Sequence, residues 1–161
     1  MIKKDLKVAV LGAGAMGCLF GGLLAEKGLD VALIDVWKEH VEAINKNGLK
    51  MDGHGGNRFI KIKATVNPKT LDKVDAIIIM CKATALEQAL INSKNIIGDN
   101  TVLMSFQNGI GHEAIMQKIA GKEKVLGGTT TQAANIIGPG NIKNHASLPS
   151  WIGEYEGGMS D

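Results

Sequence analysis

Aromatic side chains are scarce in this chain of 161 residues, with Phe, Trp and Tyr together making up 4 %. The core must therefore be packed from Val, Ile, Leu, Ala and Met. The alternation of aromatic and basic residues that grips nucleic acid is missing too. A formal net charge of +2 with no basic run is too weak a field for a polyanionic partner, so no nucleic acid is expected. The two cysteines, Cys18 and Cys81, make neither a disulfide framework nor a zinc spacing. They are expected as buried thiols in a reducing compartment, with Cys18 a small packing residue. His40, His54, His112 and His145 are scattered without ligand spacing, so surface or turn roles are expected and no metal site is. No apolar run approaches the roughly 20 residues that span a bilayer. The N-terminus also lacks the apolar stretch of a signal peptide. A cytoplasmic protein with no membrane partner is the expectation.

What is present is an alternation of short apolar runs and amphipathic stretches. Lys7–Leu11 reads as a strand buried on both faces, and the pattern from Ala15 to Lys27 as a helix stopped by Gly28. Asp30–Asp35 is a second strand, and Trp37–Asn47 a second helix ended by Gly48. Residues 49–67 are turn-rich and predict a β-hairpin excursion, with Arg58–Lys63 its clearer strand. Asp75–Cys81 is the strongest buried strand. A helix over about Thr84–Ile97, a strand Thr101–Phe106, a turn at Asn108-Gly109 and a helix His112–Ile119 follow. Val125–Ala134 reads as one more strand, and two short strands flank the Gly138-Pro139-Gly140 turn up to Ile152. The order predicts an α/β fold, a Rossmann-type doubly wound and mostly parallel sheet. Residues 1–153 form the expected domain, and the polar, glycine-rich residues 154–161 the start of a linker.

The glycine loop Gly12-Ala13-Gly14-Ala15-Met16-Gly17 carries the chemistry. The motif alone is weak evidence, because glycines also serve plain turns. Here a strand precedes it, a helix follows it, and an acid stands about 20 residues on. Gly12 permits the tight turn, Gly14 lets backbone approach a pyrophosphate, and Gly17 lets the helix pack close to the sheet. Free N–H groups at the positive end of the helix then face the anion. Asp35 closes the second strand, where a carboxylate can accept from ribose hydroxyls and repel a 2′-phosphate, which favours NAD over NADP, a preference that the nearby Lys38 can soften. Its structural alternative is to cap the helix that begins at Val36 or Trp37.

Four stretches resemble the N-terminal domain of the ketopantoate reductase (2-dehydropantoate 2-reductase) family. They are Val10–Gly17, Met80-Cys81-Lys82-Ala83, Gln107-Asn108-Gly109-Ile110-Gly111, and Gly127–Ala134 continuing to Gly138-Pro139-Gly140. The resemblance implies reduction of the ketone of 2-dehydropantoate to pantoate by hydride from NAD(P)H, a step toward pantothenate and coenzyme A. It implies Lys82 as a cofactor and active-site contact, Asn108 as a contact to the nicotinamide end and to the substrate, and Ala134 as a backbone contact to the cofactor. Lys82 and Asn108 both follow central strands, where open α/β sheets bind ligands.

Two departures stand out. Members of this family usually use NADP and carry a basic residue after the second strand, whereas Asp35 is followed here by Val36 and Trp37. Members also continue into a helical C-terminal domain that supplies the general-acid lysine. No catalytic residue is therefore expected within these 161 residues, and apolar surface suited to a homodimer or a further domain is. Two alternatives remain: a stand-alone nicotinamide-nucleotide-binding or sensing module, and a related reductase of another small keto or hydroxy acid.

Overall fold

The structure is a computed structural model that describes residues 5–154. Its main sheet has seven strands, ordered β11-β8-β7-β6-β1-β2-β5. In chain order these are β1 (Lys7–Leu11), β2 (Asp30–Ile34), β5 (Lys63–Thr65), β6 (Val74–Ile79), β7 (Ile97–Ser105), β8 (Val125–Thr130) and β11 (Ser150–Glu154). Every pairing is parallel except that of edge strand β11 with β8. From β1 the chain winds outward through β2 and β5, then returns to β6 on the other side of β1 and winds outward through β7 and β8. This reversal beside β1 is the switch point of a doubly wound sheet, where ligands bind in such folds.

A second sheet of four strands, ordered β4-β3-β10-β9, lies apart from the first. It comprises β3 (Leu49–Gly53), β4 (Arg58–Ile60), β9 (Ala134–Gly138) and β10 (Asn141–Asn144). The predicted hairpin is present as the antiparallel pair β3–β4. It is not a free excursion, because β3 also pairs in parallel with β10, and β5 leaves it to extend the main sheet.

Helix α1 (Ala15–Glu26) explains the second sheet. Its sequence is apolar on every side, and a helix of that kind needs cover all round. Gly21 faces the main sheet, where an added Cβ would lie 2.5 Å from a Leu33 methyl. Gly22 faces the second sheet, where a Cβ would lie 2.7 Å from the Met51 sulfur. One hydrophobic core joins Val8, Val10, Leu19 and Leu33 to Leu49, Met51, Ile60 and Ile142, with Val41 and Ile44 of α2 (Lys38–Asn47). The opposite face of the main sheet is covered by α3 (Leu86–Asn92) and α4 (His112–Ala120), around Ile77, Ile79, Leu86, Leu90, Leu103 and Met116. Each such fully buried Leu or Ile contributes about 1.5–3 kcal/mol.

Several predicted boundaries shift, and the strand expected over Arg58–Lys63 is divided between β4 and β5, which lie in different sheets. The helix expected over 84–97 is reduced to α3, flanked by 3₁₀ turns at Ala83–Ala85 and Lys94–Ile96. Asn95 leaves the helix to donate to the carbonyls of Pro68 and Leu71. Strand β7 starts early at Ile97, because the Thr101 hydroxyl accepts from Gly98 N–H and bonds back to the Val74 carbonyl. The single strand expected over 125–134 is two strands in different sheets, β8 and β9, with the chain crossing between them at residues 131–133. The expected linker begins at Glu154, which is still the last residue of β11; the remainder, 155–161, lies outside the described residues.

Candidate functional site

The register of the parallel strands lines up the candidate residues. Leu11 is level with Ile34 on one side and Ile79 on the other, and Ile79 is level with Ser105. The carboxyl ends of β2, β1, β6 and β7 therefore form a row, and the segments that leave them stand side by side. Those segments begin at Asp35, Gly12, Met80 and Phe106. Backbone bonds carry the row one step past the strands: Gly12 N–H donates to Ile34 O at 2.8 Å, and Met80 N–H to Leu11 O at 2.9 Å.

The three loop glycines are required for three different reasons. Gly12 has φ 101°, and a Cβ there would lie 2.4 Å from the Cys81 backbone nitrogen. At Gly17 a Cβ would lie 1.8 Å from the Gly12 carbonyl oxygen, so the helix could not seat against the loop. A Cβ on Gly14 meets nothing within 4 Å. Gly14 is the N-cap of α1, without a side-chain capping bond and without an acidic residue in the first turn. The N–H groups of Ala15, Met16 and Gly17 thus have no intrahelical acceptor and stand at the positive end of the helix dipole. Open space at Gly14 beside unfilled donors fits a bound anion.

A cleft of about 450 Å³ opens beside this loop. Gly12, Gly14, Asp35, Val36, Cys81 and Lys82 are among its lining residues. Lys82 is exposed at the rim and pairs with no acid among the described residues. Val36 stands 92 % exposed next to Asp35. A wider hollow of about 660 Å³ contains none of the candidate residues; it lies near Asp30 and Lys63, at the amino ends of β2 and β5.

Asp35 does more than face the cleft. Its Oδ2 accepts from Ala13 N–H at 2.7 Å and its Oδ1 from Trp37 N–H at 2.9 Å. The carboxylate therefore braces the glycine loop against the start of α2, and each oxygen keeps a further lone pair. The capping alternative is realised in part: the N-cap of α2 is Trp37, and Asp35 bonds that residue's backbone from outside the helix.

Asn108 and Ala134 do not line this cleft. Asn108 is exposed in the turn after β7, and its carbonyl accepts from His112 Nε2 at 2.8 Å. Gly109 and Gly111 hold the turn with φ of 105° and 90°, and Ile110 between them is 96 % exposed. Gln107 ties this turn to the neighbouring one, since its Nε2 donates to the Cys81 carbonyl beside Lys82. No role for Gln107 follows from the motif alone, and its place just after a central strand is the signal that marks it. Ala134 begins β9, pairs with Asn144, and packs on the core that α1 shares with the second sheet.

Two residues expected at the surface or in turns are buried. His112 is held by the Asn108 carbonyl, and His40 is fully buried under the glycine loop. His40 Nδ1 accepts from Gly140 N–H at 3.0 Å, and its Nε2 lies 3.2 Å from Cys18 Sγ. Burial pushes the His40 pKa down from 6.5, against the opposing pull of Asp35 and of the Ala13 carbonyl. Burial, with Asp35 adding to it, pushes the Cys18 thiol up to about 12.

Strand order, switch point and glycine loop together define a domain of the Rossmann class. Comparison with known proteins narrows this. The model of the family described as ketopantoate reductase PanE/ApbA matches residues 8–157, and the chain belongs to that family. It is 40 % identical over 156 residues to 2-dehydropantoate 2-reductase of Pyrococcus horikoshii, covering 97 % of this chain and 50 % of that protein. It is 35 % identical over 142 residues to 2-dehydropantoate 2-reductase of Lactococcus lactis, covering 86 % and 45 %. Among solved structures, D-mandelate dehydrogenase with NADH and anilino(oxo)acetate superposes with a TM-score of 0.88 at 36 % identity, covering 92 % of this chain and 48 % of that one. The chain spans about half the length of the curated relatives it matches.

Proposed function

We propose that this chain is the dinucleotide-binding half of an NAD(P)H-dependent reductase whose substrate is 2-dehydropantoate, which the whole protein converts to pantoate for pantothenate and coenzyme A synthesis. The observation that carries this reading is the uncapped start of α1 with its open Gly14, set beside a cleft that also receives Asp35 and Lys82. The bound cofactor would supply a hydride to the keto carbon.

The residues of this chain bind and orient. Backbone N–H groups of Ala15, Met16 and Gly17 at the start of α1 hold the pyrophosphate, with Gly14 allowing close approach. Asp35 accepts from the adenosine ribose through its remaining lone pairs, while Val36 and Trp37 offer no cation to a 2′-phosphate, which favours NAD. Lys82, which pairs with no acid among the described residues, supplies positive charge beside the phosphates and the reacting end. Asn108 extends from the adjacent strand end toward the nicotinamide and the substrate, and Ala134 contributes backbone to the cofactor. The proton that the new alkoxide needs would come from a lysine outside these 161 residues, in keeping with the half-length match to the relatives.

The NADH-bound D-mandelate dehydrogenase favours a second reading on substrate, in which the whole protein reduces a bulkier 2-keto acid. A homodimeric contact is supported by Trp151 and Ile152, both 54 % exposed on edge strand β11. Among the described residues no helix is long and apolar enough to cross a membrane, and a cytoplasmic setting is in keeping with that. The test is a steady-state assay of the full-length protein with NADH and NADPH against 2-dehydropantoate and benzoylformate. Turnover of 2-dehydropantoate at the higher kcat/KM supports the first reading; preference for benzoylformate replaces it with the second; no nicotinamide oxidation with any keto acid removes the enzyme reading.

A further inference from the structure

Beneath the glycine loop lies a chain of polar groups on which nothing in the proposed chemistry calls. A backbone N–H can only donate, so the bond from Gly140 makes His40 Nδ1 an acceptor. The neutral ring must then carry its proton on Nε2, which points at Cys18 Sγ, 3.2 Å away. With its sulfur receiving that proton, the thiol's own hydrogen goes to the Ala13 carbonyl, at 3.1 Å. Ala13 N–H in turn donates to Asp35 Oδ2. Every bond in the series runs one way, from the β9–β10 turn of the second sheet through α2 and α1 to the loop and its brace.

We infer that His40 and Cys18 are positioning residues for dinucleotide binding, holding the Ala13 peptide so that the loop's N–H groups stay aimed at the pyrophosphate. This rests on the cofactor reading above. Three observations support it. His40 is 0 % exposed and Cys18 is 0 % exposed, so neither bond competes with water. The Trp37 indole stacks on the imidazole at 4.9 Å and 14° between planes, which fixes the ring's tilt. Ala13, itself 1 % exposed, is gripped at both ends of its backbone, by Cys18 at the carbonyl and by Asp35 at the N–H. A loop held at both ends of one residue has little freedom to lose on binding, and such preorganisation raises affinity. The titratable groups that face the ring are Cys18 of α1 and Asp35 of the β2–α2 connection; the β9–β10 turn presents only the Gly140 backbone.

The substitutions Cys18→Ser and Cys18→Ala separate relay from packing. Serine and alanine fill nearly the same volume, but only serine both accepts from His40 and donates to Ala13. Calorimetric titration of this chain with NADH, at a temperature where both variants are folded, is expected to give Cys18→Ser within about threefold of the parent affinity and Cys18→Ala about tenfold weaker. His40→Asn, which keeps an acceptor for Gly140 but cannot reach Cys18, should weaken binding like Cys18→Ala. Equal affinities for the alanine and serine variants would overturn the inference. Hydrogen exchange at the Ala13 amide, read by NMR without ligand, keeps the test independent of the cofactor reading. Exchange about tenfold faster in Cys18→Ala than in Cys18→Ser supports the relay; equal rates overturn it. Failure of the parent chain to bind any nicotinamide dinucleotide would remove the cofactor reading, and with it the link to binding, while that exchange comparison still decides whether the relay holds the loop.

Discussion

The Asp35 carboxylate and the Ala13 amide, 22 residues apart in sequence, meet at 2.7 Å, so the acid that would read the ribose also braces the glycine loop. Recognition and loop geometry are thereby coupled through one side chain. Asp35→Ala is expected to weaken NADH and NADPH alike by loosening the loop, and to weaken NADH further by removing the ribose acceptor. Each charged hydrogen bond is worth roughly 1.5–3 kcal/mol, so the loss of NADH affinity should exceed tenfold. Titration of parent and variant with both cofactors checks this. An unchanged ratio of the two affinities would show that Asp35 braces without discriminating.

The glycines divide into structural and ligand-facing members. Gly12→Ala and Gly17→Ala drive a Cβ into backbone at 2.4 and 1.8 Å, and each should cost more than about 2 kcal/mol of stability. Gly14 has φ −65° and open space, so Gly14→Ala should leave the melting temperature nearly unchanged while lowering dinucleotide affinity. Thermal melts paired with binding titrations test the contrast. A Gly14→Ala protein that binds as tightly as the parent would contradict the placement of the pyrophosphate.

Stability should fall in mild acid through His40. Its folded pKa is depressed, so below pH 6.5 the unfolded chain takes up a proton that the buried ring refuses. The stabilisation is present above that pH and is lost progressively as pH drops through the folded pKa. Denaturant midpoints measured from pH 8 to pH 5 should decline more steeply for the parent than for His40→Asn. Parallel profiles would show that the ring titrates as freely folded as unfolded.

Cys18 should resist alkylation. Its thiol is fully buried and pushed up to about 12, so almost no thiolate is present near neutrality. In native protein at pH 8, iodoacetamide should label it only through unfolding, at a rate that rises with denaturant. The same shift makes the protein lose stability above pH 9, where the unfolded thiol ionises and the folded one does not. Rapid native labelling of Cys18 would count against its buried bond to Ala13.

The features legible in the sequence were those that a short window encodes. The β1–glycine loop–α1 unit, and Asp35 at the end of β2, follow from local pattern and spacing. The second sheet did not, because it pairs β3 with β10 across some 90 residues, and no window relates Met51 to Ile142. The crossing at residues 131–133 was hidden for the same reason: Val125–Ala134 holds no Pro, Asn or Asp to mark a break, and only tertiary pairing divides it. His40 was missed because a histidine on an amphipathic helix reads as surface until its partner, Gly140, is known to be in contact 100 residues away. Helix α3 ended early through Asn95, whose acceptors lie on the distant β5–β6 connection.

The Gly12–Gly17 loop is expected to hold a nicotinamide dinucleotide. Isothermal titration of the 161-residue chain with NADH and with NADPH, repeated on Gly14→Ala, tests it most directly. The expected result is saturable one-to-one binding, NADH tighter than NADPH by about tenfold, and clear weakening of both in the variant. Absence of binding by either dinucleotide, or binding untouched by Gly14→Ala, would contradict it.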